Sequence, residues 1–475
     1  MPQETLFFNE VDALRSHPSH FQAMHHWLET NSHFKLMTLN QQALSAFHRK
    51  GVTFTVYSDA KNTERVIPFD IIPRIITHQD WEILESGCTQ RIKALNAFIH
   101  DIYHQQDIIA AGIIPAEQIL VNDCFEPWMV EIDLPHHIYT HVSGIDLVRN
   151  EDGQFYVLED NLRTPSGISY LLESRQISEH LLPELFEEFD IAPVHQYPSM
   201  LLQSLIECSG KPNPKVVVLT PGRYNSAYYE HTFLARKMGV PLANSYDLFV
   251  EDNKVYIKTI GGREQVDIVY RRLDDAFLDP LAFRPDSILG VPGLMSAYRA
   301  GNVMIANAPG TGVADDKSIY PYVDEMIRFY LQEEPILRNV PTWQCRKKDD
   351  FDYVMAHLGE LVVKETQGSG GYGMLIGPKA SHEEIEAYRL RIIADPSGFI
   401  AQPTLSLSTC PSCVEEGIAP RHVDLRPFVL TSPEQVRIVP GGLTRVALRE
   451  GSLVVNSSQG GGVKDTWVLR NGGLS

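Results

Sequence analysis

The sequence predicts a mixed α/β (α+β) protein, and three stretches carry that prediction. The apolar run Lys215–Leu219 breaks at a glycine turn and is followed by a helical pattern and a further strand, which is the βαβ signature of a parallel sheet. Thr77–Gln106 has apolar residues on one stripe at helical spacing and is predicted as a long core-facing helix. The region that follows Arg421 consists mainly of short strand-forming runs. Consecutive strands without helices between them add an α+β character to the predicted fold.

The composition limits the classes of function. A chain of 475 residues is long enough for several structural units, and its 43% hydrophobic and 21% charged residues are ordinary for a globular protein. A net charge of −19 argues against nucleic acid or an anionic membrane surface as a partner. We find no run of about 18 apolar residues and no basic-then-apolar N-terminus, so we expect a cytoplasmic protein that does not bind membranes. The sequence leaves open whether the protein forms a homo-oligomer.

The six cysteines are scattered and do not form a disulfide framework. Cys410 and Cys413 have the C-x-x-C spacing of a redox or zinc pair, but His422 is the one further ligand nearby. We therefore expect reduced structural thiols in a loop, with a metal or redox role as the alternative.

Shifts in pattern divide the chain into four predicted segments. Residues 1–50 are predicted to be helical, residues 51–191 contain a hairpin, the long helix and an acidic strand pair, and residues 192–300 contain the βαβ unit. Residues 301–475 hold a glycine-rich loop and the C-terminal strands. Within this last segment we predict an amphipathic helix over Asp315–Leu331, with Lys317 in its first turn.

A predicted strand near the middle of the second segment ends in candidate metal ligands. Phe155–Leu158 is apolar, and Glu159 and Asn161 follow two residues apart, so both side chains lie on one face of an extended backbone. Asp146 lies on a preceding strand that a glycine-containing turn joins to this one. Three oxygen ligands at one strand end favour Mg²⁺. The alternative is an acidic surface turn.

A second motif has the features of a phosphate-binding hairpin. The strand Leu361–Lys364 ends in a lysine, and Met374–Ile376 resumes an apolar run. Glycine allows the backbone amides between them to approach phosphate oxygens closely, and a lysine beside the loop adds positive charge. The loop residues that we assign to nucleotide binding are Gly368, Ser369, Gly370, Gly371 and Gly373. No Gly-Lys-Ser/Thr opens a helix here, so this is not the P-loop pattern.

Several runs together carry a family resemblance. They are Val157–Gly167, Gly310–Lys317, Val363–Lys364 with its glycine loop, Val423–Phe428, Pro440–Arg449 and Asn456–Asp465. With these runs the chain resembles the circularly permuted ATP-grasp family, bacterial proteins distantly similar to glutathionylspermidine synthetase. In ordinary ATP-grasp enzymes the lysines precede the metal carboxylates, whereas here Glu159 and Asn161 precede Lys364. The resemblance therefore implies a permuted ATP-grasp fold, with residues 192–300 as its Rossmann-like pre-ATP-grasp subdomain and with ATP and Mg²⁺ as cofactors.

The resemblance also implies roles for individual residues. Lys317 takes the place of a nucleotide-binding lysine beside Lys364, and Gln402 lies in the segment that corresponds to the adenine-binding hinge. The candidate catalytic residues are three arginines of the C-terminal strands, whose guanidinium forks suit a γ-phosphate or a carboxylate: Arg426, Arg445 and Arg449. For Arg449 a surface salt bridge is the alternative.

These assignments predict an ATP-dependent carboxylate–amine ligase that acts on small-molecule or peptide carboxylate and amine substrates through an acylphosphate. A phosphotransferase on the same scaffold and a non-catalytic ATP-binding partner protein are the alternatives. One departure concerns the substrate: Ser143 and Gly144 stand where glutathionylspermidine synthetase has a substrate-side arginine. The two most glycine-dense stretches, Gly368–Gly373 and Gln459–Gly462, are expected to act as lids over the triphosphate.

Overall fold

The computed structural model describes residues 7–13, 18–56, 63–367, 373–452, 455 and 461–474. The helices are α1 (Glu10–Ala13), α2 (Pro18–Thr30), α3 (His33–Lys50), α4 (His78–Tyr103), α5 (Asp107–Ala110), α6 (Ala116–Leu120), α7 (Ile168–Leu181), α8 (Pro183–Glu188), α9 (Tyr197–Ser209), α10 (Tyr228–Met238), α11 (Asp275–Leu278), α12 (Leu294–Arg299), α13 (Val323–Met326), α14 (Lys348–His357) and α15 (His382–Ala394). No helix among the described residues combines the length and the apolar character that a membrane crossing needs.

The strands confirm the expected mixture of α and β structure. From the N-terminus they are β1 (Thr53–Val56), β2 (Thr63–Val66), β3 (Phe69–Ile76), β4 (Val142–Arg149), β5 (Phe155–Asn161), β6 (Phe189–Ile191), β7 (Val216–Leu219), β8 (Leu242–Ala243), β9 (Leu248–Glu251), β10 (Lys254–Thr259), β11 (Gly262–Val266), β12 (Ile268–Arg271) and β13 (Met304–Ala306). The C-terminal third adds β14 (Arg338–Asn339), β15 (Trp343–Gln344), β16 (Leu361–Glu365), β17 (Met374–Ile376), β18 (Phe399–Pro403), β19 (Thr409–Val414), β20 (Gly417–Arg426), β21 (Phe428–Thr431), β22 (Val436–Ile438), β23 (Leu443–Val446) and β24 (Gly462–Leu474).

A large central sheet joins distant parts of the sequence. Its strand order is β14-β5-β4-β20-β23-β24-β3, with β19, β21, β22 and β6 attached at its sides. The acidic hairpin β4–β5 therefore lies directly beside the arginine-bearing strands β20 and β23. Because neighbouring strands are only about 4.8 Å apart, side chains on one face of these four strands converge.

Two smaller sheets complete the scaffold of the site. Strands β13, β12, β7 and β8 form a parallel sheet in that order, which confirms the predicted βαβ unit; its last strand, Met304–Ala306, comes from beyond residue 300. Strands β15, β18, β16 and β17 form an antiparallel sheet, in which Lys364 of β16 pairs with Met374 of β17. The two strands that flank the glycine motif thus pair antiparallel, as predicted.

One buried side chain joins the parallel sheet to the central sheet. Asn307 follows β13, and its Oδ1 accepts hydrogen bonds from the backbone N–H groups of His141 and Val142 at 2.7 and 2.9 Å. Its Nδ2 donates to the carbonyl oxygen of Leu162 at 2.7 Å. Because these groups precede β4 and follow β5, Asn307 fixes both open ends of the acidic hairpin.

Helix α4 packs against the central sheet and covers the back of the hairpin. It begins at His78 because the Thr77 side chain accepts a hydrogen bond from the backbone N–H of Asp80, an ordinary N-cap. Leu84, Leu95 and Ile99 are fully buried, which confirms the apolar stripe that the sequence predicts.

The predicted helix over Asp315–Leu331 is wrong. Residues 314–319 form turns, a short 3₁₀ helix covers Tyr320–Tyr322, and α13 continues into a π-helical turn at Ile327–Leu331. Pro321 has no N–H to donate and disfavours the α region for the residue before it, so no α-helix extends back to Asp315. Lys317 therefore lies in a turn and not at a helix N-terminus.

Two further expectations about local structure are also wrong. Cys410 and Cys413 are not in a loop; they lie on β19, where both are buried, and burial raises the pKa of the Cys413 thiol to about 11. Gly462, the last residue of the second stretch predicted as a lid, belongs to β24 together with Lys464. The Nζ atom of Lys464 is buried and donates to Asp70 Oδ2 at 2.6 Å, which holds this end of the strand in the central sheet.

Candidate active site

The acidic hairpin brings together the three predicted metal ligands. Strands β4 and β5 are antiparallel, with Asp146 paired with Glu159 and Gly144 with Asn161, and a bulge follows Asp146. The Nδ2 atom of Asn161 lies 3.4 Å from Asp146 Oδ1. The period of two along a strand places Glu159 and Asn161 on the same face, as the sequence indicates.

The residue between these ligands is held on the opposite face. Asp160 is buried, and the Arg91 guanidinium on α4 donates to both of its carboxylate oxygens at 2.7 Å. A bidentate pair of this kind fixes the rotation of the strand end. It therefore sets the direction in which Glu159 and Asn161 project.

Two arginines from neighbouring strands surround the Asp146 carboxylate. Arg426 on β20 binds both oxygens, and its Nη2 lies 2.8 Å from Asp146 Oδ2. Arg445 on β23 donates to the same oxygen at 2.7 Å and also pairs with Asp424, its partner in the β20–β23 register. Two guanidiniums and two carboxylates thus form one compact buried cluster.

The charges of this cluster shift its pKa values. Burial by itself would raise the pKa of Asp146, but Arg426 and Arg445 outweigh it and hold the pKa below its ordinary value. For Asp424 burial dominates and raises the pKa, although Arg445 opposes it. Asp146 is therefore a carboxylate at neutral pH, with its negative charge already matched by arginine.

The Arg426 side chain also lies over Gly144, where the hairpin has no side chain of its own. A Cβ atom at Gly144 would lie 3.1 Å from Cδ of Arg426, so the arginine passes directly over this glycine. On β4 itself, Ser143 and Gly144 precede Asp146 where the resemblance would place an arginine. The structure supplies a guanidinium beside Asp146 from β20, which lies 280 residues further along the chain.

Lys317 and Lys364 lie on the other side of Glu159. The Nζ atom of Lys317 is 3.6 Å from Glu159 Oε2, and Lys364 Nζ donates to Gln402 Oε1 at 2.7 Å. Burial lowers the pKa of Lys364 to about 8, with Lys317 adding to the decrease and Glu159 opposing it. Two lysines, one carboxylate and a hinge-segment glutamine therefore share one part of the site.

The oxygen donors at the hairpin fit Mg²⁺. Asn161 uses its Nδ2 to approach Asp146 and the Gly144 carbonyl, and within the described ranges its amide oxygen accepts no hydrogen bond. Glu159 is half-buried and faces the lysines. Both oxygens of Asp146 already accept from arginine, so this carboxylate can contribute only its remaining lone pairs. Hard oxygen ligands of this kind are those that Mg²⁺ prefers.

The structure does not bring every predicted residue into this cluster. Arg449 is exposed in the turn after β23, and it forms no ion pair with any other described residue. Gly373 directly precedes β17 and has a φ of 67°, a conformation that favours glycine. Gly368, Ser369, Gly370 and Gly371 lie outside the described residues, as do residues 456–460, so the lid expectation stays a prediction.

Sequence reasoning missed a charged pair beside the lysines. Arg163 Nε donates to Asp315 Oδ2 at 3.1 Å, and the same oxygen accepts the backbone N–H of Leu162 at 3.2 Å. Burial raises the pKa of Asp315 to about 6, although Arg163 opposes the shift. Both residues lie in runs that carry the family resemblance, and opposite charges in two such runs are the sequence signal that could identify them.

Arg271 and Arg272, at the end of β12, are buried structural residues. Arg271 donates to the carbonyl oxygens of Asn307 and Ala308 at 2.8 and 3.1 Å. Arg272 pairs with the buried Glu230 at 3.1 Å. Their hydrogen bonds hold backbone segments around the site.

Comparisons with known proteins agree with this geometry. Residues 73–447 match the family model of circularly permuted ATP-grasp type 2 proteins. An uncharacterized protein of Synechocystis sp. is 52% identical over 447 residues, which cover 94% of this chain and 93% of the relative. A Frankia alni protein provisionally named a glutamate–cysteine ligase is 43% identical over 435 residues, which cover 89% of this chain but only 49% of that protein.

A solved structure supports the fold independently. The glutathione synthetase-like effector of Globodera pallida superimposes with a TM-score of 0.59 over 92% of this chain and 98% of its own. Its sequence is only 11% identical, so this likeness concerns the fold alone. The family model, in contrast, spans most of the sequence and includes both the hairpin and the lysines. The chain belongs to the circularly permuted ATP-grasp family.

Proposed function

We propose that the protein is an ATP- and Mg²⁺-dependent carboxylate–amine ligase. The observation that carries this proposal is the convergence of four cationic side chains and three oxygen donors on one hairpin. The cations are Lys317, Lys364, Arg426 and Arg445, and the donors are Asp146, Glu159 and Asn161. Such an arrangement suits a triphosphate, whose transfer reactions depend mainly on positioning and charge neutralisation.

The lysines are suited to the nucleotide. Lys364 lies at the end of β16, where the glycine hairpin begins, and Lys317 approaches the same region from the turn after Asp315. Their positive charges would bind phosphate oxygens of ATP, and Gln402 would lie near the adenine. Mg²⁺ held by the hairpin oxygens would neutralise phosphate charge and orient the γ-phosphate.

The arginine side of the hairpin is suited to the acid substrate. Arg426 and Arg445 would orient an incoming carboxylate near Asp146, because guanidinium groups bind carboxylates through two parallel hydrogen bonds. An oxygen of this carboxylate would attack the γ-phosphorus while the bond to ADP breaks, which gives an acylphosphate. The amine nitrogen would then attack the acyl carbon, release inorganic phosphate and lose a proton, leaving an amide.

The name of one relative supports the ligase class without defining the substrates. The Frankia alni protein is provisionally named a glutamate–cysteine ligase, an enzyme class that joins a carboxylate to an amine. This chain corresponds to about half of that protein (49%), so the named activity can reside in the other half. We therefore propose an amino-acid-like or peptide acid and an amine as substrates.

The test is a product analysis with the purified chain. We would incubate it with ATP, Mg²⁺ and pooled acids and amines, and follow ADP release together with new masses. A ligase gives ADP, phosphate and an amide in equal amounts, and omission of the amine pool removes the amide. ADP with a stable phosphorylated product would contradict the ligase proposal and indicate a phosphotransferase. No ADP release above that of a Glu159→Ala variant would contradict catalysis altogether.

A further inference from the structure

A histidine cluster at the C-terminal end of α4 lies outside the site described above. His100 is the middle ring of three: its centroid lies 4.1 Å from that of His104 and 3.8 Å from that of His137. Asp133 joins them, since its carboxylate is 3.3 Å from Nε2 of His137. The cluster thus combines residues of a helix with residues of the segment that leads into β4.

The ligand atoms of this cluster lie close enough for one ion. Atoms of His100, Asp133 and His137 all lie within 4.8 Å of one another, and no other described group of three His, Cys, Asp or Glu residues satisfies that condition. Two ligands about 2.0–2.1 Å from a tetrahedral zinc ion are about 3.3 Å apart, which is the separation of Asp133 and His137.

The hydrogen bonds of His104 leave its other nitrogen available. Nδ1 lies 2.8 Å from the His100 carbonyl oxygen, which can only accept, so Nδ1 carries the proton. Nε2 then carries a lone pair. This atom is shielded from solvent and has no hydrogen-bond partner among the residues that the structure describes. A ring N–H fixed on a backbone carbonyl is the usual way in which a metal-binding histidine is oriented.

A contact with the Tyr139 hydroxyl orients the His100 ring in a similar way. Its Nδ1 is 3.3 Å from the Tyr139 hydroxyl, which also lies 3.5 Å from the Ile132 carbonyl oxygen. The hydroxyl can donate to that carbonyl and accept from a protonated Nδ1. The Nε2 atom of His100 is then a free lone pair as well.

The segment 133–137 is folded so that one histidine of the adjacent pair joins α4. Pro135 precedes His136 and His137, whose φ angles of 58° and 54° lie in the left-handed region that non-glycine residues seldom adopt. This turn directs His137 over the His100 ring. Adjacent side chains of a regular helix diverge, so sequence pattern alone does not predict this arrangement.

We propose that His100, Asp133 and His137 bind a divalent transition metal ion of the Zn²⁺ type, with the His104 ring beside them. Imidazole nitrogens with one carboxylate are typical of zinc and unsuited to Mg²⁺, which prefers oxygen. A cavity of about 500 Å³ beside the cluster, also lined by Tyr330 and Gln435, gives an ion a path from solvent.

The bound ion would connect two parts of the protein that matter for the hairpin. His100 lies nine residues after Arg91 on α4, a distance of roughly 13 Å along the helix. Arg91 holds Asp160 between the Mg²⁺ ligands. The metal would fasten the 133–137 segment to this same helix, so its role is structural and separate from ATP turnover.

The experiment measures Zn²⁺ binding to the purified, metal-stripped protein by calorimetry, with Mg²⁺ as a second probe. We expect one Zn²⁺ per chain and a higher Tm in its presence. Any Mg²⁺ binding should be the same in the original protein and in His137→Ala. His100→Ala and His137→Ala should each raise the Kd for Zn²⁺ by at least roughly tenfold. Glu159→Ala should leave one Zn²⁺ bound, which separates this site from the hairpin oxygens.

The chain provides a matched control. His78 and Glu82 have the same spacing as His137 and Asp133 and lie 3.4 Å apart on the surface, but they lie away from the His100 ring that stacks on His137. His78→Ala should leave the Kd for Zn²⁺ unchanged. Absence of Zn²⁺ binding, or a Kd that changes equally in His78→Ala and His137→Ala, would contradict the proposal. Asp133→Asn tests the site in a variant that keeps the size of the side chain.

Discussion

The two halves of the candidate site use positive charge in different ways. Around Asp146, the guanidiniums of Arg426 and Arg445 are bound to buried carboxylates. Around Glu159, Lys364 binds a neutral amide, and Lys317 Nζ lies 3.6 Å from Glu159 Oε2. The arginine half is therefore a preformed structural cluster, whereas Lys364 in the lysine half has a neutral partner, which leaves its charge for a phosphate to neutralise.

The pKa values express the same difference. The arginines hold the pKa of Asp146 below its ordinary value, which means that the folded protein favours the charged form. Lys364 shows the opposite behaviour, because burial lowers its pKa to about 8 and disfavours its charge. The negative charge of a bound triphosphate would stabilise the charged form of Lys364 and so offset the cost of its burial. We infer that the arginine half contributes mainly to stability and substrate orientation, and the lysine half mainly to ATP affinity.

The largest expected effect tests the arginine half. Arg445→Met should lower the free energy of unfolding by about 3–5 kcal/mol, because it leaves Asp146 and Asp424 buried with a single guanidinium. Urea denaturation followed by circular dichroism measures it. The control is Arg470→Met, which removes a surface pair with Asp190 and should change stability by less than about 0.5 kcal/mol. Equal effects in the two variants would show that the cluster is not a structural unit.

The second prediction concerns the metal ligands. Glu159→Ala should lower Mg²⁺-dependent ATP turnover by about 10²-fold, in the range seen when one group that stabilises a transition state is removed. Its Tm should stay the same, since Glu159 is half-buried and not part of the arginine cluster. Glu151→Ala, an exposed acid in the turn of the same hairpin, is the control and should keep full turnover. Full turnover in Glu159→Ala would remove the proposed Mg²⁺ site.

The third prediction tests the lysine half directly. Lys364→Met and Lys317→Met should each raise the Kd for ATP about tenfold, the loss of roughly 1.4 kcal/mol, because each removes a charge directed at phosphate. Isothermal titration calorimetry measures the Kd. Lys348→Met removes an exposed lysine that pairs with Asp352 on α14 and should leave the Kd unchanged. Unchanged ATP affinity in both lysine variants would reduce the glycine hairpin to a structural element.

The hairpin was predictable from sequence and the arginine cluster was not. A period of two and a glycine turn suffice to place Glu159, Asn161 and Asp146 together, since all three lie within 16 residues. Arg426 lies 280 residues from Asp146, and only the order of strands β4 and β20 in the sheet brings them into contact. The local sequence pattern contains no information about the order of strands in the sheet. The position of Arg426 over Gly144 therefore could not be predicted from it.

The wrong helix after Asp315 has a similar cause. Apolar spacing alone favours a helix that begins at Asp315, although Pro321 lies inside it and is incompatible with regular helical hydrogen bonds. The resemblance nevertheless assigned Lys317 to the site, where it lies near Glu159. Long motifs therefore identified the site residues better than local periodicity identified their secondary structure.

The fourth prediction uses pH. The pKa of Lys364 is about 8 in the folded protein and that of an ordinary lysine is about 10.4, so the unfolded chain binds more protons between these values. Stability should therefore rise with pH in this window, while ATP affinity should fall as pH rises through 8. Calorimetry and urea denaturation from pH 7 to 10 measure both trends. In Lys364→Met both should weaken, and persistence of the full pH dependence would assign it to another group.

The smallest expected effect concerns Arg449, the predicted catalytic arginine outside the cluster. Its side chain is exposed, so a contact with phosphate or carboxylate there would be screened by water and contribute about 0.2–1 kcal/mol. Arg449→Ala should therefore lower turnover by at most about fivefold, without a change in the free energy of unfolding. Steady-state kinetics at low and high salt measure this, and the loss should shrink at high salt. A loss as large as that of Glu159→Ala would mean that Arg449 reaches the reacting groups, and that the division between a buried arginine half and a lysine half is incomplete.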